Sequence, residues 1–437
     1  LKTIHTGPKA AMYNILLHLF NPDEFYHIAA FEQKKRIVSF FSDHFNLPEV
    51  HKEPDLDEQF KMVWKKCKEE FKDEYPYKTD KKDIYSDCTH RKGNSIDFFN
   101  EKLVENWKKD IGSLFKNKNM IYHGAPGTGK TYKVDKSISN RLKFHKSHDV
   151  KKQYKMVQFH PSYGYEDFID GIKPVDIGND GNMKFKLVNG LFKDMCIDAY
   201  KELVRFDKLE SEEQKKEGGK PKPFFFVADE INRAELSRVF GELLLCIEDD
   251  KRLKVKEQVT NGQMVKTQNS NLWDKTVAAE HAVLIEDGEM YFGVPENLFF
   301  IGTMNDIDRS VDSFDMALRR RFYWKHCVCE YEVIKEKFTK QPEEKINKYI
   351  EACEDLNKTI SGSEGEALNL GESFEVGHSY FMKPNDINKT QIKELWENHL
   401  DPLLKEYLRA EVPSESEIKT KLKKLKDKFM KTAFGTE

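Results

Sequence analysis

The chemistry of this chain begins with Gly124-Ala125-Pro126-Gly127-Thr128-Gly129-Lys130-Thr131, which matches G-x-x-x-x-G-K-[ST]. Glycines at these places let backbone N–H groups turn inward around phosphates, the lysine bridges the terminal phosphates, and the last hydroxyl ligates Mg2+. An acidic pair, Asp229-Glu230, closes the apolar run Phe224-Phe-Phe-Val-Ala. Carboxylates at the C-terminal end of a strand stand where open α/β sheets bind ligands, so Asp229 is expected to serve the metal shell and Glu230 to polarise an attacking water. Gly302-Thr-Met-Asn305 ends another apolar run, and its uncharged amide suits water orientation or a phosphate contact. Ten residues on, Asp315-Met-Ala-Leu-Arg-Arg-Arg321-Phe offers three guanidinium groups in a row, more than a helix end needs, and at least one is expected to reach phosphate.

These residues need a scaffold that brings strand ends together. From Asn119 onward, short apolar runs alternate with helical stretches, the grammar of a parallel sheet flanked by helices, in other words an α/β fold of P-loop NTPase type. Strands are expected at Met120–Tyr122, Lys155–Gln158, Phe224–Ala228, Leu298–Gly302 and Phe322–Trp324. Two insertions interrupt them. Leu209–Lys222 is charged and Gly-rich and reads as a solvated loop, whereas Lys251–Val294 holds Asn261-Gly262 and Asp287-Gly288, dipeptides that favour hairpin turns. Cys327 and Cys329, two apart, read as a core-lining strand.

Residues 1–118 read as a helical accessory or linker region, with apolar positions at helical spacing in Met12, Ile15, Leu16 and Leu19, in Ile37, Phe40 and Phe41, in Phe60, Val63, Trp64 and Cys67, and in Phe98, Leu103, Trp107 and Ile111. The nucleotide-binding α/β domain is expected over 119–329 and a C-terminal helical lid over 330–437. In that lid the lysine-rich stretch Lys419–Lys431 carries Ile418, Leu422, Leu425 and Phe429 at helical spacing, with Ser414 and Glu417 placed for a capping box. The lysine face is expected to be solvated, with a DNA or partner contact as the other reading.

Over the 437 residues, 72 Lys plus Arg against 75 Asp plus Glu leave no overall positive field, so any nucleic-acid contact must be a local patch. Seven scattered cysteines without C-x-x-C spacing read as reduced thiols of a cytoplasmic protein, and no apolar run reaches membrane-spanning length. The chain begins at Leu1 and reads as the later part of a longer polypeptide.

The order of the motifs resembles a known family. P-loop, Asp-Glu-Ile-Asn232-Arg233-Ala, Met-Asn-x-x-Asp308-Arg309-Ser310 and Ala-Leu-Arg-Arg-Arg-Phe are similar to the McrB-type NTPase subunit of modification-dependent restriction systems. Gln158-Phe-His160-Pro-Ser-Tyr163 with Tyr165-Glu-Asp-Phe168, the lid segment Gly377-His378-Ser-Tyr-Phe381, and Trp396 through Asp401-Pro-Leu-Leu-Lys-Glu-Tyr407 extend the likeness over about 120–408. The resemblance implies an AAA+ motor that assembles into hexamers, prefers GTP to ATP, uses Mg2+, and drives a McrC-type endonuclease on modified DNA, which in that family a variable N-terminal domain reads; residues 1–118 match no recognisable DNA-reading module. It carries Asn305 onto the family's sensor, Asp308 and Arg309 onto its signature, Arg233 onto an arginine linking neighbouring subunits, and Arg320 and Arg321 onto arginines offered to the next subunit's nucleotide. One departure stands out. Where the family has Thr-Ala inside the signature, this chain has Asp306-Ile307, which adds an acid close to the nucleotide. A MoxR-like ATP-driven remodeller and a nucleotide-gated scaffold are the competing readings. The Met-Asn-x-x-Asp-Arg-Ser signature argues against the first and the water-activating Glu230 against the second, and the residues themselves do not choose between GTP and ATP.

Overall fold

The computed structural model describes 47–71 except 48, scattered residues between 34 and 42, and 117–435 except 145–149, 178–182, 217–219, 282, 287, 309–313, 315, 364–366 and 410. Of the four N-terminal helical patterns, one is described in full: α1 (Leu56–Phe71) buries Phe60, Val63 and Cys67 along one stripe. Ile37 and Phe41 are also helical and buried, while Phe40 and the patterns at 12–19 and 98–111 lie outside the described residues.

After 117 the chain runs through β1 (Asn119–Gly124), α2 (Lys130–Phe144), β2 (Tyr154–Gln158), the hairpin β3 (Asp170–Ile177) and β4 (Met183–Asn189), α3 (Leu191–Asp207), α4 (Ser211–Lys216) and β5 (Phe224–Asp229). There follow two further hairpins, β6 (Lys254–Lys256) with β7 (Val259–Asn261) and β8 (Leu284–Glu286) with β9 (Glu289–Tyr291), then β10 (Leu298–Asn305), α5 (Met316–Arg319) and β11 (Tyr323–His326). The five-stranded sheet has the order β11-β1-β10-β5-β2, and every pairing in it is parallel. All five expected strands are present. β10 runs three residues further than its apolar core, because Thr303 and Asn305 continue the ladder against β1 up to Gly124.

The Phe-rich strands account for the layering. In β5 the alternation sends Phe224, Phe226 and Ala228 to one face and Phe225 and Val227 to the other. On the first face Phe226, Phe300, Phe168, Phe192 and Phe240 form a ring cluster with centroids 4.3–6.2 Å apart. Each ring buried this way contributes roughly 1.5 to 3 kcal/mol. The other face is covered by Val134, Ile138 and Leu142 of α2.

Two local expectations fail and one hairpin was unforeseen. The stretch 209–222 contains α4, whose Ser-Glu-Glu start places acids in the first turn where the helix dipole favours them. The hairpin β3–β4 is an insertion the pattern reading missed. Its alternation of Met183, Phe185 and Leu187 was visible, but Pro174 inside the partner strand is a counter-signal, and the ladder slips at that proline. Cys327 and Cys329 are buried but lie beyond the end of β11. The hairpin is held down by a fully buried pair, Lys193 Nζ to Asp170 Oδ2 at 2.5 Å, and Thr267, Asn269 and Trp273 donate to the same carboxylate.

A separate helical cluster follows. It contains α6 (Glu343–Ser361), α7 (His378–Phe381), α8 (Asp401–Arg409) and α9 (Glu415–Phe434), packed around Tyr349, Leu356, Trp396, Leu404 and Phe429. The predicted lysine-bearing helix is α9, with Ile418, Leu422, Leu425 and Phe429 buried. Its capping box does not form: Ser414 makes no cap hydrogen bond and its Oγ meets Ser416 Oγ at 2.8 Å. Among the described residues no helix is long and apolar enough to cross a membrane.

Candidate functional site

Strand order decides the site. β10 lies between β1 and β5, so its C-terminal end comes out between the loop that follows β1 and the acids that end β5. The register aligns Gly124 with Asn305 and, one strand over, Gln158 with Asp229. Gly124 takes φ +145°, and a Cβ there would sit 2.3 Å from Cys327 O, so only glycine lets β1 turn away beside the next chain segment.

Residues 124–131 form the connection from β1 to the first turn of α2. Lys130 is buried, and its ammonium donates to Ala125 O at 2.8 Å and Gly124 O at 3.2 Å, gathered into the concavity of its own loop. Burial lowers its pKa. Thr128 Oγ1 closes the loop by donating to Ala125 O at 3.0 Å. Thr131 Oγ1 donates to Asp229 Oδ1 at 2.7 Å, and Thr303 Oγ1 donates to the same oxygen at 2.5 Å.

Glu230 stands beside this cluster in the left-handed region, φ 53° and ψ 47°, a conformation costing a non-glycine residue about 1 kcal/mol or more and found where the surroundings over-determine it. The twist turns its carboxylate toward β10. Asn305 Nδ2 donates to Glu230 Oε1 at 3.1 Å and to Asp308 Oδ2 at 3.3 Å. Arg233 closes the group, with Nε 3.4 Å from Glu230 Oε2 and a terminal nitrogen 3.6 Å from Asp308 Oδ2. Asn232 Nδ2 holds the backbone of Asp308 at 2.9 Å. Burial raises the Glu230 pKa; Arg233 opposes this, and Asp308 and Asp229 add to it.

The helical cluster reaches this loop directly. Gly377 N–H donates to Pro126 O at 3.1 Å and Ser379 N–H to Gly127 O at 3.0 Å. The contact is so close that a Cβ on Gly377 would fall 2.1 Å from Gly127 C. His378 is buried, its pKa is lowered by that burial, and Nδ1 accepts Glu330 N–H at 3.2 Å. A neutral imidazole accepting at Nδ1 carries its proton on Nε2, the atom nearest the Cβ position of Gly129.

Comparison with known proteins agrees with this geometry. Residues 119–322 match the AAA domain of the dynein-related subfamily, and residues 348–412 match the McrB alpha-helical lid domain. The chain carries a McrB-like AAA domain followed by a McrB-type helical lid domain. It is 32% identical over 296 residues to the type IV methyl-directed restriction enzyme EcoKMcrB subunit of Escherichia coli (strain K12), covering 66% of this chain and 54% of the relative. It is 26% identical over 233 residues to the type II restriction enzyme BsuMI component YdiS of Bacillus subtilis (strain 168), covering 49% of this chain and 58% of the relative. The chain thus spans about half the length of the curated relatives it matches.

Within this AAA domain the three arginines have different fates. Arg319 stacks on Trp324 with its guanidinium carbon 4.9 Å from the ring centroid. Arg321 is engaged within the chain, its Nε 2.9 Å from Glu248 Oε1 and a terminal nitrogen donating to Ala317 O at 2.7 Å. Arg320 is exposed. Among the described residues no hydrogen bond or ion pair joins Arg320 or Arg321 to the phosphate loop, and Arg309 lies outside the described residues. His160 is exposed, its ring edge-on to Tyr163 at 5.8 Å and its carbonyl accepting Tyr163 N–H at 2.8 Å. The sequence reading assigned no task to Thr303, whose hydroxyl shares Asp229 with Thr131. Its position two residues before Asn305 on an inward-ending strand was the available signal.

Proposed function

We propose that this AAA protein is the GTP-hydrolysing motor of a restriction system, that it assembles into a hexameric ring, and that it drives a McrC-type nuclease on modified DNA. The carrying observation is the joined group Glu230–Asn305–Asp308–Arg233 one strand from a complete phosphate loop, in a chain whose curated relatives are restriction-enzyme components. In this reading the amides of 124–131 and Lys130 hold the phosphates. Glu230 takes a proton from the attacking water, with Asn305 fixing the carboxylate by its amide hydrogen bond and Arg233 keeping it ionised. Arg320 of one subunit completes the site of the next. Arg321, tied to Glu248, is the poorer candidate for that task.

The oxygens of Thr131 and Asp229, 2.7 Å apart at the edge of the loop, are the hard donors that Mg2+ takes. When bound, the ion neutralises charge on the phosphates. Preference for GTP rests on the family resemblance, since the loop contacts phosphates and not the base. Parallel steady-state kinetics with GTP and ATP test the reading, with and without an added McrC-type nuclease. Faster GTP turnover, no DNA cleavage by the chain alone, and nucleotide-dependent cleavage on adding the nuclease are expected. A clear ATP preference with no response to the nuclease would transfer the chain to the protein remodellers.

A further inference from the structure

Asp306 and Ile307 replace the family's Thr-Ala and are given no task by the reading above. They are the two central residues of a turn closed by Asp308 N–H donating to Asn305 O at 3.3 Å. The first and last residues of that turn, Asn305 and Asp308, touch each other and reach Glu230 and Arg233. The two between them are anchored elsewhere. Asp306 N–H donates to Gly124 O at 3.1 Å, and both of its carboxylate oxygens lie at 3.0 and 3.1 Å from His123 Nδ1. A carboxylate only accepts, so Nδ1 carries the proton and donates. The His123 ring is itself held, stacked on His326 at 5.1 Å and edge-on to Trp324 at 5.5 Å. Ile307 packs into the apolar cluster of the lid, which also takes in Tyr380 beside the phosphate loop.

We propose that Asp306-Ile307 is a strut joining the root of the phosphate loop, the water-activating group and the lid, and that His123 and Asp306 are positioning residues for hydrolysis. The proposal rests on the reading that Glu230 and Asn305 handle the attacking water. The added acid is paired with His123 through both carboxylate oxygens, while still acting electrostatically on Lys130. What it supplies is register. Asn305 sits one residue from an anchor on β1 and two from an anchor on the lid, so its amide keeps its place against Glu230 only while both anchors hold. Errors of about 1 Å in such placement are enough to cost turnover without loss of binding.

The test uses the full chain and four variants, Asp306→Ala, His123→Ala, the double Asp306→Ala/His123→Ala, and Asp306→Asn, which keeps an acceptor for Nδ1. Affinity is read with fluorescent GTP and ATP analogues and turnover with saturating GTP and ATP. Each single alanine variant should lose about tenfold in kcat with affinity within about threefold of wild type, and the double should lose no more than either single, as expected of partners in one network. Asp306→Asn should keep at least about half of the wild-type kcat. A single alanine variant within about twofold of wild-type kcat, or a double whose loss is the product of the two, overturns the strut. Should Asp306→Ala melt before it can be assayed, Ile307→Ala carries the same test, with the same kcat loss at retained affinity expected and wild-type turnover overturning it. Glu230→Gln separates the two ideas. If it turns over like wild type, the water-activation reading fails; if it is inactive while Asp306→Ala and His123→Ala are unimpaired, only the strut fails.

Discussion

In the proposed reaction Lys130 holds phosphate and Glu230 activates water, so the two should fail differently. Lys130→Ala removes a buried cation from the loop, and nucleotide affinity should fall by about tenfold to a hundredfold, the loss expected of charge-assisted hydrogen bonds. Glu230→Gln keeps the acceptor for Asn305 and removes only the base, so binding should persist while kcat falls by about two to four orders of magnitude. Equal loss of binding in both would overturn the division of roles. The environment of Glu230 adds a pH prediction. Burial raises its pKa, and hydrolysis needs the ionised form, so kcat should fall on the acid side around a midpoint above the ordinary glutamate value. Arg233 pulls that pKa down, so Arg233→Ala should move the acid limb to higher pH. A kcat–pH profile whose limb stays put or moves down would show that Arg233 does not hold the carboxylate.

Among the elements, the lid contact is the one least tolerant of change. α7 begins against Pro126 and Gly127 through two backbone hydrogen bonds, and no side chain fits where Gly377 passes. Gly377→Ala puts a carbon 2.1 Å from the Gly127 backbone, which neither chain can absorb by a rotamer change. The lid must then lift from the phosphate loop. Stability should drop by about 1 to 3 kcal/mol, as in other overpacked sites, and nucleotide affinity should fall with it. Thermal melting together with nucleotide titration checks this. Wild-type affinity in Gly377→Ala would mean that the lid seat is dispensable for binding.

For the whole molecule, the question is where the third guanidinium goes. Arg321 is spent on Glu248 and Arg319 on Trp324, while Arg320 is exposed on the same short segment. In the proposed ring, a guanidinium supplied from the next subunit would be worth roughly three to five orders of magnitude in rate. Arg320→Ala should therefore abolish turnover with nucleotide binding intact, and mixing it with Glu230→Gln should restore partial hydrolysis, because some interfaces then pair an intact acid with an intact arginine. Arg321→Ala should instead behave as a stability variant. If mixed rings form and stay inactive, Arg320 does not act in trans.

The phosphate loop, the acids of β5 and the α/β class could be read in the sequence because each is a local pattern. A loop that wraps phosphates uses consecutive residues, and an apolar run ending in two carboxylates announces both its strand and its edge. The same holds for the buried face of α9, whose spacing is that of one helix. The partner of Asp306 could not be read, since His123 is 183 residues away and is brought there only because β10 inserts beside β1. Nor could the seat of Gly377 on Gly127, the sharing of Asp229 by Thr131 and Thr303, or the capture of Arg321 by Glu248. Periodicity and motif spacing carry no information about strand order or about how a lid docks. Those are settled when burial of the phenylalanine layers selects one packing, and with it which distant polar groups meet.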